Sequence, residues 1–140
     1  MFGFGKKLPH IANEDVERAM HVAMPTVKAV CDGNAKLAAL RDGLPAFVRE
    51  NNLDADVLHL ARAAGTAHWM AELEGVSDKD VVKANPALSN AAKALAGYQA
   101  SLGFRKGAQL ATAVGQYCAV WAIAARGAKE VVSACLSTDR

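Results

Sequence analysis

The side chains best placed to do chemistry in this chain are two carboxylate–histidine pairs, Glu17/His21 and His68/Glu72, each spaced four residues apart. That spacing puts both members of a pair on one helix face. Two such helices facing each other could hold a metal ion or an acid–base pair in a bundle core. A helical wheel argues against this. Relative to Val16, Glu14, Glu17 and His21 fall at about 160°, 100° and 140°, away from the apolar stripe, and Lys28 joins them at about 120°. That is a solvated face, and no Glu-x-x-His occurs in the chain. Neither a metal nor a cofactor is expected.

His68 differs from the other histidines. It lies within about 20° of Val57 on the wheel, on the core side with Ala61 and Ala64. It reads as a neutral core histidine bonded to a carbonyl or to Glu72, with a pH-sensitive pocket histidine as the alternative. Together with Trp69, Tyr117 and Trp121 it makes the candidate small-ligand pocket, suited to a hydrophobic molecule. Nucleophilic catalysis has less to stand on. Ser77 is better used as a helix cap, and Ser89, Ser101, Ser133 and Ser137 lack a Gly-x-Ser-x-Gly elbow. Gly3-Phe4-Gly5 has no helix or Lys-Ser/Thr at the spacing a phosphate loop needs.

The elements that would carry these residues are helices. Alanine dominates an apolar content of 52%, and β-branched and aromatic residues are sparse, which favours helix over strand. A length of 140 residues fits one domain with one core. Residues 1–12 read as a flexible arm carrying Phe2 and Phe4, and residues 13–140 as the helical domain. Asn13 is a plausible cap for a first helix to about residue 31, its stripe being Val16, Met20, Ala23, Val27 and Val30. Pro25 predicts a kink or restart there. Asn34 caps a second helix to about Glu50, and Asp54 a third that Gly75 closes. Ser77 starts a short fourth helix that stops before Asn85-Pro86. Pro86 opens a fifth, with Leu88, Ala91, Ala92, Leu95, Tyr98 and Leu102 inward. The sixth begins near Phe104 and runs to Ala125 or, through Gly127, to about Ser133.

That last helix contains a run from Gly107 to Ala125 with no charged residue. Leu110, Val114, Tyr117, Trp121, Ala124, Ala128, Val131 and Cys135 follow a 4,3,4,3 spacing. Beside it, Gly103, Gly107, Ala111, Gly115 and Ala119 form a ladder of small residues. The two stripes together predict a helix shielded on most of its circumference. The fold expected is therefore all-α: a single-domain bundle of five to six helices around a buried, Ala/Gly-rich C-terminal helix. On that reading Gly107→Leu, Gly115→Leu and Ala111→Lys all destabilise it. The uncharged run is long enough to span a bilayer. Its content argues against this, because Gln109, Thr112 and Gln116 are polar and Tyr117 and Trp121 fall mid-span.

Net charge is +2, too small to indicate nucleic acid or a membrane surface. It is unevenly spread: residues 1–80 hold 9 basic and 12 acidic side chains, residues 81–140 hold 7 and 2. Arg105-Lys106 is the only interior basic pair, with too few charges for stable nucleic-acid binding. The three cysteines have no CxxC spacing, which fits free thiols in a reducing, cytoplasmic compartment. These features favour a non-enzymatic interaction or assembly subunit. It would act by homo-oligomerisation or on a protein partner, with Phe2, Phe4, Arg105 and Lys106 as contact residues. The alternative is a small-ligand or cofactor-binding helical domain, possibly an enzyme, using the His68 pocket.

Overall fold

Short polar side chains set the starts of three of the helices. In a computed structural model, residues 14–138 are described along the backbone and, for side chains, as far as Val131. They form six helices: α1 (Glu14–Asp32), α2 (Ala35–Glu50), α3 (Asp56–Glu74), α4 (Asp78–Ala84), α5 (Pro86–Ser101) and α6 (Phe104–Thr138). Asn34 Oδ1 accepts from the Lys36 and Leu37 amides at 3.0 and 3.2 Å, and Asn85 Oδ1 likewise from Ala87 and Leu88. Ser77 Oγ accepts from the Asp80 amide. Each of these contacts satisfies amides that a helix start leaves unpaired. Gly75 (φ 70°) closes α3 and Gly103 (φ 88°) turns the chain from α5 into α6, both in the left-handed region that glycine enters without strain. The arm at residues 1–12 and the Asn13 cap lie outside the described residues.

Of the kink or restart expected at Pro25, the restart is absent, and the second helix runs to Glu50 as expected. The helix α1 passes through Pro25 without a restart, and α2 passes through Pro45. Each proline removes one helical bond. The buried residues on either side, Ala23 and Val27 in α1, Leu44 and Val48 in α2, keep the helix docked across the gap. The helix α6 is also uninterrupted at Gly127.

The six helices pack around α6 and α3. The former makes the broadest contact, against α1, α2, α3 and α5, and α3 touches every other helix. The core between them holds Leu44, Val57, Leu60, Leu88, Leu110, Val120 and Trp121. Tyr98 of α5 ties in the α2–α3 loop, its hydroxyl accepting from the Asp54 amide at 3.0 Å.

Burial around α6 is one-sided, which corrects the expectation of near-complete shielding. Leu110, Val114, Tyr117, Trp121 and Ala124 are buried as the 4,3,4,3 stripe requires, whereas Val131 is 63% exposed. The small-residue ladder leaves the core. Gly107 is buried, but Ala111, Gly115 and Ala119 are exposed. The reason is angular. A spacing of four advances about 40° per step, whereas a heptad stripe drifts only about 20° per seven residues in the opposite sense. The ladder and the stripe therefore diverge along the helix. The helix shielded on most sides is α3, where between Leu60 and Ala71 only Arg62 is exposed. Ala92, expected inward on α5, is exposed as well.

Candidate functional site

Tyr117 and Trp121, one turn apart on the inward face of α6, stack with ring centroids 5.9 Å apart and planes at 45°. The Trp121 ring sits on α3 where Gly65 leaves room. A Cβ at residue 65 would lie 2.7 Å from Trp121 Cδ2. A glycine in the middle of a helix costs about 1 kcal/mol relative to alanine, so its presence here marks a seat cut for the indole. Together the two rings form part of the wall of a groove of about 710 Å³ between α1, α2, α3 and α6. That size is in the range of small-molecule sites.

The rest of the groove comes from the two proline-bearing helices. Met24 and Pro25 of α1 and Pro45 of α2 add apolar surface, and His21, Lys28, Arg41, Asp42 and Arg62 add polar groups. Lys28 is paired with Asp32 at 2.7 Å and Arg41 with Asp42 at 2.8 Å. Arg62 has no carboxylate partner among the described residues. Burial pushes the Tyr117 phenol above its ordinary value, and the Arg62 guanidinium and the Trp121 N–H beside its oxygen pull it part of the way back. Trp121 Nε1 is buried, and no acceptor among the described residues meets it with hydrogen-bond geometry, although the Tyr117 oxygen lies alongside. Three donors therefore converge at one end of an apolar groove.

The four residues of the expected pocket separate into three places. Tyr117 and Trp121 share the groove. Trp69 lies in a shallow depression between α1 and α3 with Val22, Met70 and Leu73. His68 is half-buried toward α4: its Nδ1–H donates to the Ala64 carbonyl at 2.9 Å, and its Nε2 is 3.6 Å from Asp78 Oδ2. The carbonyl expected for His68 is present. The other expected partner, Glu72, instead pairs with Arg126 at 2.9 Å. Neighbours on a helix point about 100° apart, so His68 and Trp69 address different surroundings.

Cys118 is near the same Asp78, which raises the question of a Cys–His–Asp nucleophile. Its thiol is 3% exposed, and burial, followed by the Asp78 charge, pushes its pKa up to about 12. A thiol held neutral in this way is a core residue rather than an attacking group. Among the described residues no three His, Cys, Asp or Glu side chains are grouped to hold a metal. Glu14, Glu17 and His21 are exposed, as the wheel places them. No helix of the described residues is long and apolar enough to cross a membrane.

The outward side of α6 is the second candidate surface. Phe104, Ala108, Ala111, Gly115 and Ala119 fall within about 80° of one another on the wheel, and all are exposed. Phe104 is 96% exposed, and Ile123 on the flank is 36% exposed. Arg105 and Lys106 are exposed at the start of this helix, and Glu130 is exposed near its other end. Phe2 and Phe4 lie outside the described residues. Comparison of the chain with protein-family models, with curated proteins and with solved structures finds no significant match.

Proposed function

We propose that this chain is a non-enzymatic assembly subunit that pairs with a second copy through the outward face of α6. The observation that supports this is the run of small and apolar side chains from Phe104 to Ile123 left in the open while the core closes without it. Small residues let two helix axes approach closely. The face has no charge between Lys106 and Arg126, so a copy of the same face meets no like charge. A two-fold, antiparallel arrangement centred between Gly115 and Ala119 brings Arg105 of each copy opposite Glu130 of the other. Such a contact is self-complementary and closes as a dimer. The buried free thiols of Cys31 and Cys118 suit a cytoplasmic setting.

The test is a charge-reversal cycle read by sedimentation velocity. Arg105→Glu and Glu130→Arg each weaken association, and the double variant restores it. If the wild type remains a monomer over the accessible concentrations, or if both single variants associate as the wild type does, the proposal fails.

A further inference from the structure

We propose that the groove between α1, α2, α3 and α6 binds an amphipathic carboxylate, its apolar tail against Met24, Pro25 and Pro45 and its head group at Arg62, beside Tyr117 and Trp121. The groove lies on the inward side of α6, so this site is independent of the outward pairing face.

The apolar part follows from the lining. Met24, Pro25 and Pro45 supply open apolar surface that gains by covering, over the nearly covered Tyr117 and Trp121 rings, and the volume of about 710 Å³ accommodates a medium-length chain or a fused ring. The prolines contribute a second property. A proline inside a helix removes the amide that would bond the carbonyl four residues back. Pro25 and Pro45 thereby free one side of the His21 and Arg41 carbonyls, and both residues also line the groove. Substituting either proline would restore a continuous helical ladder and change the wall.

The head-group preference follows from the charges. The lining holds three permanent cations, Lys28, Arg41 and Arg62, against the single carboxylate of Asp42. Lys28 and Arg41 are already bound to Asp32 and Asp42. That leaves one guanidinium, and a guanidinium matches a carboxylate with two parallel hydrogen bonds. Beside it stands the Trp121 N–H, 1% exposed as a residue, which no acceptor among the described residues meets with hydrogen-bond geometry, the Tyr117 oxygen lying alongside. A buried donor left unmet loses its hydration without return, so it marks a place where an acceptor is missing. The Tyr117 hydroxyl, next to both, can turn its own proton outward. An anionic oxygen that takes the place of the Tyr117 oxygen beside the covered indole N–H meets all three donors. An alcohol would engage the indole without satisfying the guanidinium, and an ammonium would be repelled.

The experiment uses the full chain with Trp69→Phe, which leaves Trp121 as the only indole, titrated with decanoate below its micelle concentration. Indole emission should change saturably, and decanol should bind at least tenfold more weakly. Arg62→Gln, at an exposed position, should bring decanoate down to the level of decanol. In the unsubstituted chain, 15N–1H spectra should show the Trp121 Nε1–H signal moving downfield with decanoate while that of Trp69 stays in place; this readout does not depend on the Trp69 variant folding. Equal affinity for decanoate and decanol, an Arg62→Gln variant that discriminates as the parent does, or an unmoved Trp121 Nε1–H signal would each overturn the proposal.

Discussion

Three glycines on or against α6 behave differently because each meets a different neighbour. A Cβ at Gly65 would press on the Trp121 ring, and one at Gly107 would collide with the Gln99 carbonyl oxygen. At Gly115 an added Cβ meets nothing within 4 Å. Gly65→Ala and Gly107→Ala are therefore expected to destabilise the fold, each by about 1–3 kcal/mol. Gly115→Leu should hold or raise stability, because leucine gains about 0.8 kcal/mol over glycine in helix propensity. Chemical denaturation of the three variants checks the contrast. Ala111→Lys, also at an exposed position, should fold normally rather than bury a charge. Cys118 gives a pH test. Its folded pKa of about 12 lies above its ordinary value of 9.0, so the unfolded chain ionises first. The neutral thiol contributes stability that is full below about pH 9 and is lost as pH rises toward 12. Cys118→Ala should flatten that part of the stability–pH curve, as read by thermal unfolding from pH 8 to 11. Of these features, Gly65 was within reach of sequence reading, because a glycine within a run of helical alanines calls for a packing reason. The neighbour of Gly107 belongs to another helix, and no spacing within α6 reveals it.

The helices were largely legible because their signals are local. Caps at Asn34 and Ser77, the stop at Asn85-Pro86 and the glycines at 75 and 103 each act over a few residues, and the structure uses all of them, with Asn85 also capping α5. Asn85→Ala should cost about 1 kcal/mol by unsatisfying the first turn of α5. Tyr98→Phe should cost about as much by leaving the Asp54 amide without its acceptor. Both are measurable by denaturant midpoints at unchanged slope. What misled was periodicity followed for too long. Spacings of four and of three-and-a-half look alike over two turns and part company over five, and α6 is 35 residues long. Pro25 leaves a restart open from the sequence alone, and the structure has none there. A proline removes one helical bond, and the buried residues on either side of it, Ala23 and Val27, carry the helix across.

At the scale of the molecule, the groove was half legible. Tyr117 and Trp121 are one turn apart, so their pairing follows from the sequence. Arg62, Arg41 and Lys28 reach the same groove only through the packing of α1, α2 and α3, and no local pattern joins them. His68 and Trp69 were drawn into the expected pocket by chain proximity, though adjacent helical residues face apart. The outward face of α6 emerges only from the completed bundle, since it is what the other five helices leave uncovered.

The most direct test of the central claim, that this uncovered face joins two copies, is sedimentation equilibrium of the wild type beside Gly115→Leu, each first shown to be folded by thermal unfolding. The wild type should fit a monomer–dimer equilibrium, and the leucine variant, with its fold intact, should remain a monomer at the same concentrations. A wild type that stays monomeric, or a leucine variant that dimerises equally well, would contradict the account.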